Sequence, residues 1–467
     1  MSASRIERDS MGEMHVPAHA LWGASTERAR ANFGYGDRPL PRSVWRALGL
    51  LKGAVARVHG ELGLLDAAKA DAIARAADEL AAGALDEHCV IGAFQTGSGT
   101  SSNMNCNEVL ANRAADLLGK PRGGGAVHPN DDVNRGQSSN DVFPSAMQLA
   151  LALETRDVLL PELRRLADAL HGHADATFGT IKSGRTHLMD AMPIRVGQEF
   201  RGYAQQVERG AARIATAATA LGELPLGGTA VGTGVNADPR VAPRALERLS
   251  AALALPLWVT TAPFQGQAAL DVVVAFSGAL RGFATAFYKL TDDLRWMASG
   301  PNVGLDELRL PAIQPGSSIM PAKVNPVVCE GVLMACACVL GCDAVIAFAN
   351  TQARFELHTM MPLVADQAHD AVALLACAAT DLREKALAGA TLAPDLASRV
   401  ALNPMLATAL APLVGYEAAA AIAKTAQASG RSVFDVAREA TSLDAATLRS
   451  LLDPARLAGE RGATRDG

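Results

Sequence analysis

The chain has 467 residues, 49% of them hydrophobic and 19% charged, with a formal net charge of -5 at pH 7. That length accommodates about three domains of ordinary size and a large core, and the mildly acidic balance argues against a nucleic-acid partner, which needs a basic field. Seven cysteines, an odd number without paired CxxC spacing, read as buried thiols in a reducing compartment, most simply the cytoplasm.

The opening, MSASRIERDSMGEMHVP, has no apolar h-region and is too acidic for a transit peptide, so neither a secretory leader nor an organelle address is expected. TGSGT at Thr96–Thr100 sets two glycines before hydroxyls and predicts a helix from near Ser102. HPNDDVNRGQSSND, His128–Asp141, predicts a polar loop leading to a helix from about Pro144 to Leu170, kinked at Pro161. No Lys-Ser or Lys-Thr follows either motif, so neither is a Walker loop. KSGRTHLMDA adds a titratable group, His187, beside Thr186 in a polar loop. A lone histidine is more often structural than catalytic. GGTAVGTG near Gly227 resembles a nucleotide loop, but no strand pattern precedes it, and it is read as a chance match.

Between Asp271 and Gly300, the residues Phe276, Leu280, Phe283, Phe287, Leu290, Leu294 and Met297 step by four and three, the spacing of a coiled-coil-like seam. Gly300-Pro301 stops it. The segment Val327–Phe348 is apolar nearly all round and long enough to raise a membrane span. Glu330 and Asp343 lie inside it, and an unpaired carboxylate in lipid is costly, so a helix central to a protein bundle fits better. Cys329, Cys336, Cys338 and Cys342 are expected to be buried on it. This helix and the seam are too apolar for a lone subunit's surface, which predicts a bundle shared between subunits. The closing ERGATRDG predicts a frayed end. Period-two patterns are scarce throughout, so the chain reads as all-α.

The chemistry is concentrated in GSSIMPAKVNP, Gly316–Pro326. Gly316 allows a turn that points the amides of Ser317 and Ser318 at an anion. Lys323 adds a full charge, Asn325 is placed to cap the next helix, and Pro326 suits its first position. An ordinary capped loop is the plain alternative; two serines, a lysine and an asparagine around one glycine favour an anion site. Three hydroxyl- and amide-rich helix starts on a helical scaffold suit the two carboxylates of one small substrate. Glu330 is a candidate to orient His187, and no His/Cys/Asp cluster has metal-ligand spacing.

These motifs resemble the fumarase/aspartase superfamily, and within it the iron-free class II fumarases. TGSGTSSNMN, HPNDDVN, QSSND, GRTHLMDA, LGGTAVGTGVN and GSSIMPAKVNP stand in the family's order, and the likeness runs from RIERDSMG at Arg5 to VGYEAAAAIAKTAQASG near Val414. The resemblance implies an all-α subunit with a long central helical bundle, built from an N-terminal lyase domain (1–137), a central bundle domain (138–394) and a small C-terminal helical domain (395–467). It implies a homotetramer whose active sites take loops from three subunits. The implied reaction is the reversible hydration of fumarate to L-malate, by anti addition and elimination of water through an enediolate, without metal or organic cofactor. Ser317 is then the base that takes the proton from carbon 3 of malate, and His187, paired with Glu330, handles the water. Ser98, Gly99, Thr100, Ser138, Ser139, Asn140, Thr186, Ser318, Lys323, Val324 and Asn325 hold the substrate. His128, Pro129, Asn130 and Asp131 correspond to an accessory dicarboxylate site.

The chain departs from the fumarase pattern at several places. Gly123–Val127 lacks the arginine that usually precedes HPND, Gly136 replaces a serine, and Ala322 replaces a glycine, as in aspartases. His358 stands for an asparagine, Met361 for an arginine, and Phe264–Gln267 also differ. An aspartate ammonia-lyase is the alternative, although aspartases carry Gln where this chain has His187. A hydratase of a substituted dicarboxylate is a further reading, motivated by His358 and Phe264–Gln267. A non-catalytic structural member is opposed by the intact Ser317, Lys323, Asn325 and His187.

Overall fold

The computed structural model describes residues 4–35 and 38–465. Among them, helices carry the architecture, and the strands are short and paired two by two. The all-α expectation is met. The chain divides into two compact units, the first formed by Met1–Leu160, Ala212–Ala284 and Ala337–Leu375, the second by Pro161–Ala211, Thr285–Cys336 and Ala376–Gly467.

In the first unit the helix Arg42–Glu61 packs closely on Ala67–Ala82. Gly49 makes this possible: a Cβ there would sit 2.9 Å from the Ala77 carbonyl oxygen. The helix expected from Pro144 begins earlier, at Ser139, and runs to Glu154. Ser138 and Asp141 form a reciprocal capping box that satisfies the first amides, so Pro144 falls inside the helix. The kink expected at Pro161 is displaced to a π-helical turn over Thr155–Leu159, after which Leu160–Thr177 resumes α geometry. A proline lacks the N–H that would continue the ladder, and a wider turn just before it absorbs the loss.

The second unit contains the hairpin Ile181–Thr186/Met189–Arg195, pinned at its base by buried Lys182, which donates to Glu199 at 2.8 Å and Glu307 at 2.7 Å. A separate apolar cluster, including Leu406, Leu410, Ile422, Val436 and Leu448, organises its C-terminal helices. The expected fraying at the end does not extend to residues 460–465. Arg195 pairs with Glu460, Arg201 donates to the Gly462 carbonyl, and Arg465 reaches Glu208 and Asp168. Residues 466–467 of that expectation lie outside the described ones.

The seam on the helix Asp271–Met297 is buried within the single chain, from Phe276 at 0% exposure to Met297 at 5%. It therefore packs in the chain's own core and does not supply a surface for association, contrary to the sequence expectation. The helix Val327–Asn350 behaves differently. Cys329, Cys336 and Cys342 are buried, but Cys338 is exposed, correcting the expectation for that thiol. It lies among outward-facing Met334, Leu340 and Phe348, which are 65%, 40% and 63% exposed. By length and composition this helix could cross a membrane; its buried Asp343, however, accepts from Ser277 at 2.8 Å and Arg281 at 2.9 Å, so a protein neighbour neutralises it.

Candidate active site

In the first unit two of the polar motifs meet. Gly99 adopts a left-handed backbone (φ 75°) and opens the helix Thr100–Leu117, two residues earlier than expected. A hydroxyl chain follows: Ser98 Oγ lies 2.9 Å from Thr100 Oγ1, which lies 2.8 Å from Ser139 Oγ. Gly97 and Gly99 permit the approach, since a Cβ on Gly97 would meet the Thr359 carbonyl oxygen at 1.8 Å and one on Gly99 the Phe143 ring at 2.2 Å. Asn140 Nδ2 donates to the Ala230 carbonyl at 2.8 Å. Buried Asp141 accepts from Ser138 N, Gly227 N and Thr229 N. Burial pushes its carboxyl up, while the three N–H donors oppose that shift. The glycine loop near Gly227 is thus a support docked on the SSND motif. A parallel strand, Glu223–Leu224, does precede it, but two residues are too few to leave a period-two pattern.

Asn130, Asp131, Asn134, Arg135, Gln137 and Ser138 line a polar cavity of about 600 Å³. Two residues of the expected accessory site therefore share a cavity with Ser138. His128 Nδ1 accepts from Asp131 N at 3.1 Å, and Pro129 opens a π-helical turn ending at Val133. Arg135 supplies a cation on this cavity, in a chain lacking the arginine usual before HPND.

In the second unit, His187 (φ 53°) and Leu188 (φ 61°) form the two-residue tip of the hairpin, closed by the Thr186–Met189 pair. Two successive left-handed residues match a type I′ turn, normally given to Asn-Gly, so non-glycine residues here are strained. The strain presents an exposed imidazole beside exposed Thr186.

The lysine loop closes on itself. Gly316 N donates to the Lys323 carbonyl at 2.9 Å, and Asn325 Nδ2 donates to the Gly316 carbonyl at 2.8 Å. Asn325 thus uses its amide to close this loop, where the sequence suggested a helix cap. Ser317 Oγ accepts from Ile319 N at 3.2 Å and Met320 N at 3.1 Å. Ala322 is left-handed (φ 67°), which explains why glycine suits that position. Ser317 is half-buried, while Ser318, Lys323 and Val324 are exposed. Glu330 is exposed on the following helix, and among the described residues no hydrogen bond or ion pair joins it to His187 within one chain. No group of three or more His, Cys, Asp or Glu arranged to hold a metal occurs among the described residues.

Two of the departures, His358 and the Phe264–Gln267 stretch, are in direct contact. His358 is fully buried, and burial pulls its imidazole down to about 4. Its backbone N donates to the Gln267 carbonyl, and Gln267 Nε2 donates to the Thr229 carbonyl at 2.6 Å. Close by in the chain, Met361 N donates to the Gly97 carbonyl. Thr359 and Met361, which follow His358 in the chain, thus back the TGSGT loop at Gly97. Sequence reasoning missed the His358–Gln267 pairing, and it missed Lys52, whose signal was a charge on the apolar face of LGLLKGAVARV.

The family model described as Lyase matches residues 12–341, and one described as Fumarase C C-terminus matches residues 406–459. A Pseudomonas aeruginosa protein named fumarate hydratase class II 2 is 47% identical over 458 residues, covering 98% of this chain and 99% of that one. Fumarate hydratase class II of Mycobacterium tuberculosis is 49% identical over 424 residues, covering 90% and 88%. The crystal structure of a class II fumarase from Schistosoma mansoni superposes with a TM-score of 0.95 at 34% identity, covering 98% of this chain and all of that one. Agreement of sequence and fold over nearly the whole length leaves a single assignment: this chain belongs to the class II fumarate hydratase family.

Proposed function

We propose that this chain catalyses the reversible hydration of fumarate to L-malate. The observation that carries this reading is the 47% identity to a class II fumarate hydratase across 98% of the chain. The relatives' names do not favour ammonia addition.

The geometry supports a role for each loop. Removing the proton at carbon 3 of malate drives charge onto the neighbouring carboxylate as an enediolate. The Ser98–Thr100–Ser139 hydroxyl chain and Asn140 are suited to hold carboxylate oxygens; Thr186, Ser318, Lys323, Val324 and Asn325 are assigned to substrate binding by their places in the family's motifs. Each preorganised donor is worth roughly 3–4 kcal/mol by analogy with other oxyanion sites. Ser317 is the base. A serine alkoxide is costly, and the N–H groups of Ile319 and Met320, both aimed at its Oγ, lower that cost. His187 delivers or removes the water proton, with Glu330 orienting it, for a gain of about 10²–10⁴-fold. The proton leaves carbon 3 on one face and hydroxide leaves carbon 2 on the other, which gives anti stereochemistry. No metal or organic cofactor enters these steps.

A cytoplasmic homotetramer with composite sites belongs to the same proposal, as do domain limits at 137/138 and 394/395. The outward apolar face of Val327–Asn350, with Met334 and Phe348 largely exposed in the single chain, supports the association. Composite sites also account for the missing His187–Glu330 contact within one chain. The test is a spectrophotometric screen of fumarate, mesaconate and aspartate with purified protein. Fumarate should turn over fastest, and preference for either of the others would overturn the assignment.

A further inference from the structure

The helix Arg42–Glu61 carries a lysine that the reaction as drawn does not use. Lys52 is 0% exposed, and its ammonium donates to two side-chain amides, Asn134 Oδ1 at 3.2 Å and Gln137 Oε1 at 3.3 Å. Among the described residues, no carboxylate forms an ion pair with it. Asn103 Nδ2 donates to the same Asn134 oxygen at 3.2 Å. Asn134 in turn donates to the Gln137 carbonyl, and Gln137 Nε2 to the Val133 and Arg135 carbonyls. The turn from 133 to 137 is thus tied together around one buried cation. Its last residue precedes Ser138, the cap of the helix bearing Ser139 and Asn140. Asn134 and Gln137 also line the polar cavity shared with Ser138.

A buried cation without a touching anion is costly unless something offsets it. We propose that Lys52 is a positioning residue for dicarboxylate binding: its ammonium fixes the Asn134–Gln137 turn and the Ser138–Asn140 helix start, and it sets a positive charge behind the cavity wall that a bound dianion offsets. This rests on the dicarboxylate reading above. The titratable groups facing Lys52 are Cys106, whose thiol burial pushes up to about 12, and Asp141. Burial lowers Lys52 itself to about 8, so it loses its proton in a range where the substrate carboxylates do not titrate.

The signs of the two pH effects are opposite. The unfolded chain keeps the Lys52 proton to about 10.5 and the folded chain only to about 8, so stability gains from this group as pH rises between them. Dicarboxylate affinity falls over the same window. A purely structural lysine would move stability without moving affinity.

The experiment measures KM and kcat for malate, and the affinity of succinate by calorimetry, from about pH 7 to 9.5. In the wild type, KM should rise and succinate affinity fall across this range. Lys52→Met should raise KM roughly ten- to hundredfold at pH 7, the scale of losing a hydrogen bond from a charged group, with kcat much less affected and the pH trend abolished. Lys52→Arg should keep KM lower than Lys52→Met. The wild-type profile needs no variant, so a misfolded Lys52→Met leaves the test intact. Flat wild-type succinate affinity, or a folded Lys52→Met with unchanged KM, refutes the proposal. Absence of fumarate turnover with a normal succinate profile would refute the catalytic reading and leave this one standing.

Discussion

Gly99→Ala perturbs the point where the two hydroxyl motifs meet. Gly99 has φ 75°, and an added Cβ would sit 2.2 Å from Cδ2 and 2.3 Å from Cγ of Phe143. The left-handed backbone costs a non-glycine residue roughly 1–2 kcal/mol. Phe143 is fully buried and cannot swing into solvent, so overpacking adds about 1–3 kcal/mol. The sum, roughly 2–5 kcal/mol, is a large share of a typical total of about 5–15 kcal/mol. Gly119→Ala is the control, because Gly119 is also left-handed (φ 66°) but has nothing within 4 Å of the place its new methyl group would take. Denaturant midpoints for both variants at one protein concentration separate strain from clash. Gly99→Ala should lose about 1–3 kcal/mol more than the control. It should also raise KM for malate, because the shift is passed directly to Thr100 and its bond with Ser139. Equal midpoints with unchanged KM would refute the argument that packing on Phe143 sets the position of these hydroxyls.

Ser317→Ala should fold normally, bind dicarboxylates and lose nearly all turnover; retention of more than a few per cent of activity would refute Ser317 as base. His358 is held near 4 by burial against 6.5 when free, so the unfolded chain takes up that proton first and stability is lost as pH falls from 6.5 towards 4. His358→Asn should shallow this decline, and an unchanged pH–stability curve would refute the burial account. Refolding His187→Asn together with Ser317→Ala should restore part of the activity if sites draw on several chains. Sedimentation showing a fully active monomer would refute the composite site.

The polar, glycine-bearing loops were legible because they interrupt a chain otherwise dominated by apolar helical spacing. The seam from Phe276 to Met297 was legible for the same reason, but its partner was not, since periodicity says which face is buried and not by which chain. The start at Ser139 was misplaced because Pro144 is a conspicuous helix signal, whereas the Ser138–Asp141 box works through reciprocal hydrogen bonds. The turn at His187-Leu188 was read as loop because its residues are not those type I′ turns normally use. Arg195, Arg201 and Arg465 tie down the C-terminal segment through pairings distant in sequence. Lys52 was missed because a single charge inside an apolar helix carries no sign of the amides it meets.

The central claim is tested most directly by incubating purified protein with fumarate in deuterated water, with a chelator present, and reading the product by proton NMR. The account predicts L-malate carrying one deuteron at carbon 3, as the single diastereomer that anti addition gives. No malate, loss of turnover on chelation, or a mixture of the two diastereomers would contradict it.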